Sequence, residues 1–178
     1  MGTRSRGNLS EEQCYFVTST FVNWFPVLYS DTAFLIISDN IIHYNKRYSA
    51  ETIGYVFMPN HLHFIIWFNE QPRLSDYMRD FKKYTSAQLR RLIEKEKPEW
   101  INQFIHEQRT QKYKLWMDRF DDVWLRDREL LKTKLNYIHL NPVKKNFCTL
   151  PEQYRWSSAR YYLNTESTEV PIRHYLDI

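Results

Sequence analysis

The stretch Ile53-Gly54-Tyr55-Val56-Phe57-Met58-Pro59-Asn60-His61-Leu62-His63-Phe64-Ile65-Ile66-Trp67 decides the fold. Two runs rich in β-branched and aromatic residues flank Met58-Pro59-Asn60, so the segment reads as an antiparallel hairpin. Its second arm opens with His-Leu-His. Side chains on a strand alternate between faces, which sends His61 and His63 to one side and Leu62 to the other, into a core. Two imidazoles together at the head of a rigid strand form a natural pair of divalent-metal ligands. Alone the pattern is weak, because most His-x-His pairs are two unrelated side chains.

Outward from the hairpin, the chain alternates strands and helices. Cys14 to Val22 is β-branched and aromatic and predicts a first strand. Asp31 stands at an N-cap position, and Phe34, Ile37, Ile41 and Tyr44 give the next element, Ala33 to Tyr48, a helical stripe. Leu74 to Glu96 repeats the pattern with Met78, Phe81, Thr85, Leu89 and Leu92, and Pro98 stops it. Glu99 to Gln111 carries no clear periodicity. Lys112 to Trp116 alternates and reads as the fourth strand, with Asp121 to Leu125 either extending it or leading into the next helix. That helix starts at an Asp127 cap, buries Leu130, Leu131, Leu135 and Ile138, and is expected to end at Asn141-Pro142. A short helix from Ser157 to Leu163 follows within a polar, aromatic tail.

The order βαββαβ predicts an α+β, ferredoxin-like fold: a four-stranded antiparallel sheet with helices on one face, followed by a tyrosine-bearing helix and a tail. The first and third strands lie innermost in such a sheet, so His61 and His63 would sit on a central strand. A chain of 178 residues suits one domain. Residues 1–12 read as a basic, flexible arm, 13–150 as the main folded domain, and 151–178 as a tail packed on it or extending it.

Composition narrows the classes. There is no apolar run of roughly 18 residues that would cross a membrane. The start is polar and basic, without a secretory h-region. Cys14 and Cys148 lack metal-type spacing, and a reduced, cytoplasmic protein is expected. Net charge is +4 with a pI near 9.0. Aromatic content is 17%, with 13 Tyr and 6 Trp. Aromatics among basic residues suit unpaired bases and phosphates, but they also fill cores, and composition does not choose between the two.

A second constellation lies at Asn136-Tyr137-Ile138-His139-Leu140-Asn141-Pro142-Val143-Lys144-Lys145. Tyr137 and Asn141 are one helical turn apart and share a face. His139 points elsewhere, as a surface or packing residue. A phenol, an amide oxygen and two cations at one helix end could complete the His61/His63 pair.

These segments carry a resemblance. Tyr55 to Ile66 resembles the His-hydrophobic-His motif of the single-tyrosine (IS200-like) transposases. Tyr137 to Lys144 resembles the tyrosine helix of their REP-associated branch, the REP-associated tyrosine transposases. Tyr154-Arg155-Trp156-Ser157-Ser158 resembles a segment that follows in the same proteins. The likeness runs from about Cys14 to Tyr161, in order and in spacing.

The resemblance implies a metal-dependent transposase or endonuclease that cuts and rejoins single-stranded DNA beside palindromic hairpins, through a 5′-phosphotyrosine intermediate. It implies Tyr137 as nucleophile and His61, His63 and Asn141 as ligands of Mg²⁺ or Mn²⁺. Phenols ionise near about pH 10, so the nucleophile needs help from the cation and from Lys144 or Lys145. Arg4, Arg6, Lys82, Lys83, Lys144 and Lys145 are candidates for holding DNA. A monomer is favoured over a homodimer. Two other readings compete: a hairpin-binding regulator on the same fold without cleavage, and a phosphohydrolase in which Tyr137 merely packs.

Overall fold

The computed structural model describes residues 13–105, 113–164 and 166–178. Four strands form one sheet: β1 (Cys14–Thr20), β2 (Ala50–Met58), β3 (His61–Phe68) and β4 (Asp121–Trp124). Their spatial order is β2-β3-β1-β4, and every pairing is antiparallel. β3, which carries the histidines, is therefore flanked on both sides. Full backbone pairing makes it the stiffest place in the sheet to mount a side chain.

Alternation along the strands builds two apolar layers. Val17, Leu62, Phe64, Ile66 and Phe68 face the helices α1 (Asp31–Arg47) and α2 (Leu74–Glu96) in the larger core. Cys14, Phe16, Ile53, Val56, Ile65 and Trp67 face the other way, with Leu131, Leu135 and Ile138 of α3 (Arg128–Lys144). Leu62 is fully buried in the first layer, opposite the face that bears His61 and His63. Most large buried side chains are aromatic, among them Tyr44, Tyr55, Tyr77, Phe64 and Phe81. The high aromatic content is thus largely spent on the core.

Three sequence expectations need correction. The fourth strand is Asp121–Trp124, not Lys112–Trp116. Tyr113 and Trp116 make only single bridges, to Ile105 and Phe21. Trp116 instead stacks on Phe21 at 3.8 Å and donates its indole N–H to Thr85 Oγ1, so its alternation reflects core packing rather than a ladder. The cap of α1 is Ser30, whose Oγ accepts from Ala33 N, and Asp31 is the first helical residue. Finally, α3 does not end at Asn141-Pro142 but runs on to Lys144. Proline forfeits one backbone hydrogen bond here. Asn141 and Pro142 are both buried, and the last turn is held by bonds from Lys145 N to Asn141 O and from Phe147 N to Pro142 O.

Glycine at position 54 sets how closely α3 lies on the sheet. A Cβ there would stand 2.4 Å from Leu135 Cδ1 and 3.1 Å from Ile138 Cδ1. The C-terminal segment then locks this contact along the outer edge of β2. Phe57 N donates to Trp156 O and Ser158 N to Tyr55 O. The hydroxyls of Tyr154 and Tyr162 donate to Phe57 O and Ile53 O. Trp156 stacks on Phe34 of α1 at 4.6 Å, and the short α4 (Ala159–Asn164) follows. An edge strand that would otherwise offer free N–H and C=O groups is covered.

Candidate functional site

The site forms where β3 begins and α3 crosses it. His61 and His63 are 6% and 5% exposed, with ring centroids 4.8 Å apart. Each is oriented through Nδ1. His61 Nδ1 lies 2.6 Å from Asn60 Oδ1, an acceptor, so the ring donates there. His63 Nδ1 lies 2.8 Å from Oγ1 of Thr18, its cross-strand neighbour on β1. Among the described residues no hydrogen bond engages either Nε2. This is the arrangement expected of imidazole ligands: one nitrogen fixed by a polar partner, the other left to coordinate.

Electrostatics agree. Burial first, then the charge of Lys145, lowers the His61 pKa from 6.5 to about 4. Burial, then His61 and Lys134, lowers that of His63 to about 3. Both imidazoles are neutral at physiological pH, the form that binds a metal.

Tyr137 comes from just past the middle of α3 and meets this pair. Its ring centroid is 5.3 Å from that of His63, edge to face, and 6.0 Å from that of Phe16. Phe16 also stacks on His63, at 5.4 Å, so the three rings form one cluster. The phenol is 41% exposed, so solvent and a substrate can reach it. Two ammonium groups flank the ring: Lys134 Nζ at 6.0 Å and Lys144 Nζ at 5.7 Å from its centroid. Lys134 also lies 4.7 Å over Phe16.

Asn141 is one helical turn beyond Tyr137. It is 6% exposed, and its Oδ1 is buried with no hydrogen-bond partner among the described residues. A buried, unpaired amide oxygen costs about 1–3 kcal/mol and calls for an explanation. Position on the helix offers one. Tyr137 touches His63, while Lys145, two turns on, bears on His61. Asn141 occupies the turn between them.

Two imidazole nitrogens and an amide oxygen form a donor set that fits a hard or borderline divalent cation. Among the described residues there is no cluster of three His, Cys, Asp or Glu side chains suited to a metal.

The other sequence candidates fall elsewhere. Lys82 spends its ammonium on the carbonyls of Met117, Asp118 and Arg119, at 2.8, 3.4 and 3.1 Å. Burial lowers its pKa to about 8. It secures the segment before β4, on the sheet face opposite the histidines. Lys83 lies over the ring of Tyr84, also on α2. Arg4 and Arg6 lie outside the described residues.

His139 is a packing residue. Its Nε2 is 2.8 Å from Ser158 Oγ, which also accepts from Tyr55 N and donates to Tyr55 O. One hydroxyl thus ties α3, β2 and the C-terminal segment together. Thr18, Lys134 and Trp24 were not singled out from the sequence. The register of β1 against β3 would have pointed to Thr18, and a three-residue offset on a helix to Lys134.

A four-stranded antiparallel sheet with paired histidines on an inner strand, faced by a helix-borne tyrosine, defines an α+β protein with a histidine–tyrosine centre. The chain belongs to the IS200-like transposase family, whose profile matches residues 31–141. That span includes His61, His63, Tyr137 and Asn141. The chain is 28% identical over 116 residues to a Haemophilus influenzae protein named "Putative REP-associated tyrosine transposase". The match covers 64% of this chain and 61% of that protein's length. Its fold is similar to that of a REP-associated tyrosine transposase solved bound to a REP hairpin. There the TM-score is 0.66 at 19% identity, over 97% of this chain and 92% of the other. No helix among the described residues is long and apolar enough to cross a membrane.

Proposed function

We propose that this protein is a single-tyrosine transposase that cleaves and rejoins single-stranded DNA beside a palindromic hairpin. The observation that carries the reading is the ring contact of Tyr137 with His63, which joins an exposed phenol to a prepared pair of imidazoles. Family membership supports the reaction class, and the hairpin in the similar structure supports the substrate class.

His61 and His63 would hold Mg²⁺ or Mn²⁺ through Nε2, with Asn141 Oδ1 as a third donor. When bound, such an ion polarises a phosphodiester and offsets the charge that builds in its transition state. The protein's own groups do the rest. Asn60 and Thr18 fix the imidazole rings. Lys134 and Lys144, whose ammonium groups flank the phenol ring, would draw the phosphate anion toward it. Tyr137 Oη attacks the phosphorus, the P–O3′ bond breaks, and the 3′-hydroxyl leaves with the proton. The 5′-phosphate stays on Tyr137 as an ester, so another 3′-hydroxyl can reverse the step and join a new strand. The protein works on cytoplasmic DNA, as a monomer.

The test is a labelled hairpin with a single-stranded flank, incubated with Mn²⁺ and run on a denaturing gel. A protein-linked band that disappears in Tyr137→Phe is expected. Binding without a cut product would indicate a hairpin regulator. Cleavage that survives Tyr137→Phe would make water the nucleophile.

A further inference from the structure

We propose that Trp24 is a stacking platform for the unpaired base next to the scissile phosphate. The proposal rests on the reading of the substrate as single-stranded DNA held at His61 and His63, and it adds a base-binding subsite to that site.

Trp24 follows β1 in a short 3-10 turn, Val22–Trp24. Its indole is 56% exposed, yet it meets His61 in a T-shaped contact, with ring centroids 5.7 Å apart. The backbone beneath it is strained. Asn23 has φ 54° and Trp24 φ 55°, two successive non-glycine residues in the left-handed region. A bulky side chain is rarely found there, and such strain concentrates at functional sites. The exposed ring contributes little to the core, so folding does not explain an indole at so awkward a position.

The turn is also held rigidly to the hairpin that carries the histidines. Phe21 N donates to Asn60 O and Leu28 N to Pro59 O, at 3.1 and 3.0 Å, one on each side of Trp24. Asn60 is the residue that orients His61. The indole is thus a fixed, solvent-open aromatic face beside the inferred phosphate site. Unpaired bases stack on such faces, because every base has a π surface.

The test is equilibrium binding, by fluorescence anisotropy, in the Tyr137→Phe background so that cutting plays no part. The probe is a DNA hairpin with a single-stranded flank, intact or with one abasic site at each flank position in turn. One abasic position beside the hairpin should weaken binding to the Trp24-containing protein by roughly five- to a hundredfold. Trp24→Ala should lose a similar factor on intact DNA and become insensitive to that abasic site, while Trp24→Phe keeps most of both. Trp24→Gly should bind as weakly as the alanine variant at an equal or higher melting temperature, since glycine relieves the strained backbone.

Trp24→Ala binding like the parent, or staying as sensitive to the abasic site, would overturn the proposal. So would a parent insensitive to every abasic position. These readouts need only binding. A parent that binds and stacks the base but whose wild-type form yields no covalent adduct would refute the transposase reading and leave the subsite standing.

Discussion

His61, His63 and His139 are buried imidazoles, and their burial has a cost in acid. All three have pKa values lowered from 6.5, to about 4, 3 and 4. In the unfolded chain they take up protons near pH 6.5. Between that value and the folded ones, the unfolded state binds more protons, so stability falls as pH drops. The histidines' contribution is whole above about pH 6.5 and is lost progressively toward pH 4. Melting temperature should decline already between about pH 6.5 and 5, before carboxylates titrate. A flat profile over that interval would contradict buried neutral histidines.

Asn141 separates a ligand from a packing residue. Its buried, unpaired Oδ1 is a burden on the fold, so Asn141→Ala should keep the melting temperature within a few degrees or raise it. The same change should weaken Mn²⁺ binding by roughly tenfold or more if the oxygen coordinates. Calorimetric titration and a thermal melt read the two effects separately. Equal Mn²⁺ affinity in both proteins would remove Asn141 from the ligand set.

Among the elements, the fit between α3 and β2 decides whether Tyr137 reaches His63. Gly54 permits that fit by leaving room for Leu135 and Ile138. Gly54→Ala should cost about 1–3 kcal/mol in denaturant unfolding and slow adduct formation, because overpacking moves the helix. Leu135→Ala in the same chain should recover part of the rate, since the clash is with its Cδ1. An unchanged rate in Gly54→Ala would mean the helix position is not set there.

The same contacts show what the sequence could and could not reveal. The hairpin, α2 and the Asp127 cap of α3 were legible because periodicity and capping are local signals. The fourth strand was not. Asp121–Trp124 is short and wholly exposed, so it lacks the alternation that burial imposes, while the buried Trp116 imitates it. Helix α3 continues past Pro142 because tertiary burial overrides the local proline rule. His61, His63 and Tyr137 could be read as a group, but Thr18 and Trp24 could not. Their roles depend on which residue lies across the sheet and how a turn is strained, and neither is written in one segment.

Across the whole molecule, the C-terminal segment acts as a clamp. Ser158 alone bonds α3 through His139 and β2 through Tyr55. Ser158→Ala leaves those buried groups short of a partner and should cost about 1–3 kcal/mol. It should also slow adduct formation, because the helix that carries the nucleophile loses a tie to the sheet. Ser158→Thr, which keeps the hydroxyl, should recover more of the rate than of the stability, since its extra methyl is overpacked. Equal stability of Ser158→Ala and the parent would show that the clamp is decorative.

In the proposed reaction one particular phenol becomes bonded to DNA. Wild-type protein should be incubated with hairpin DNA and Mn²⁺, digested with nuclease and trypsin, and sequenced by tandem mass spectrometry. A nucleotide 5′-phosphate should be found on the peptide Leu135–Lys144, attached at Tyr137. A nucleotide on any other tyrosine, or strand cleavage with no modified peptide at all, would contradict it.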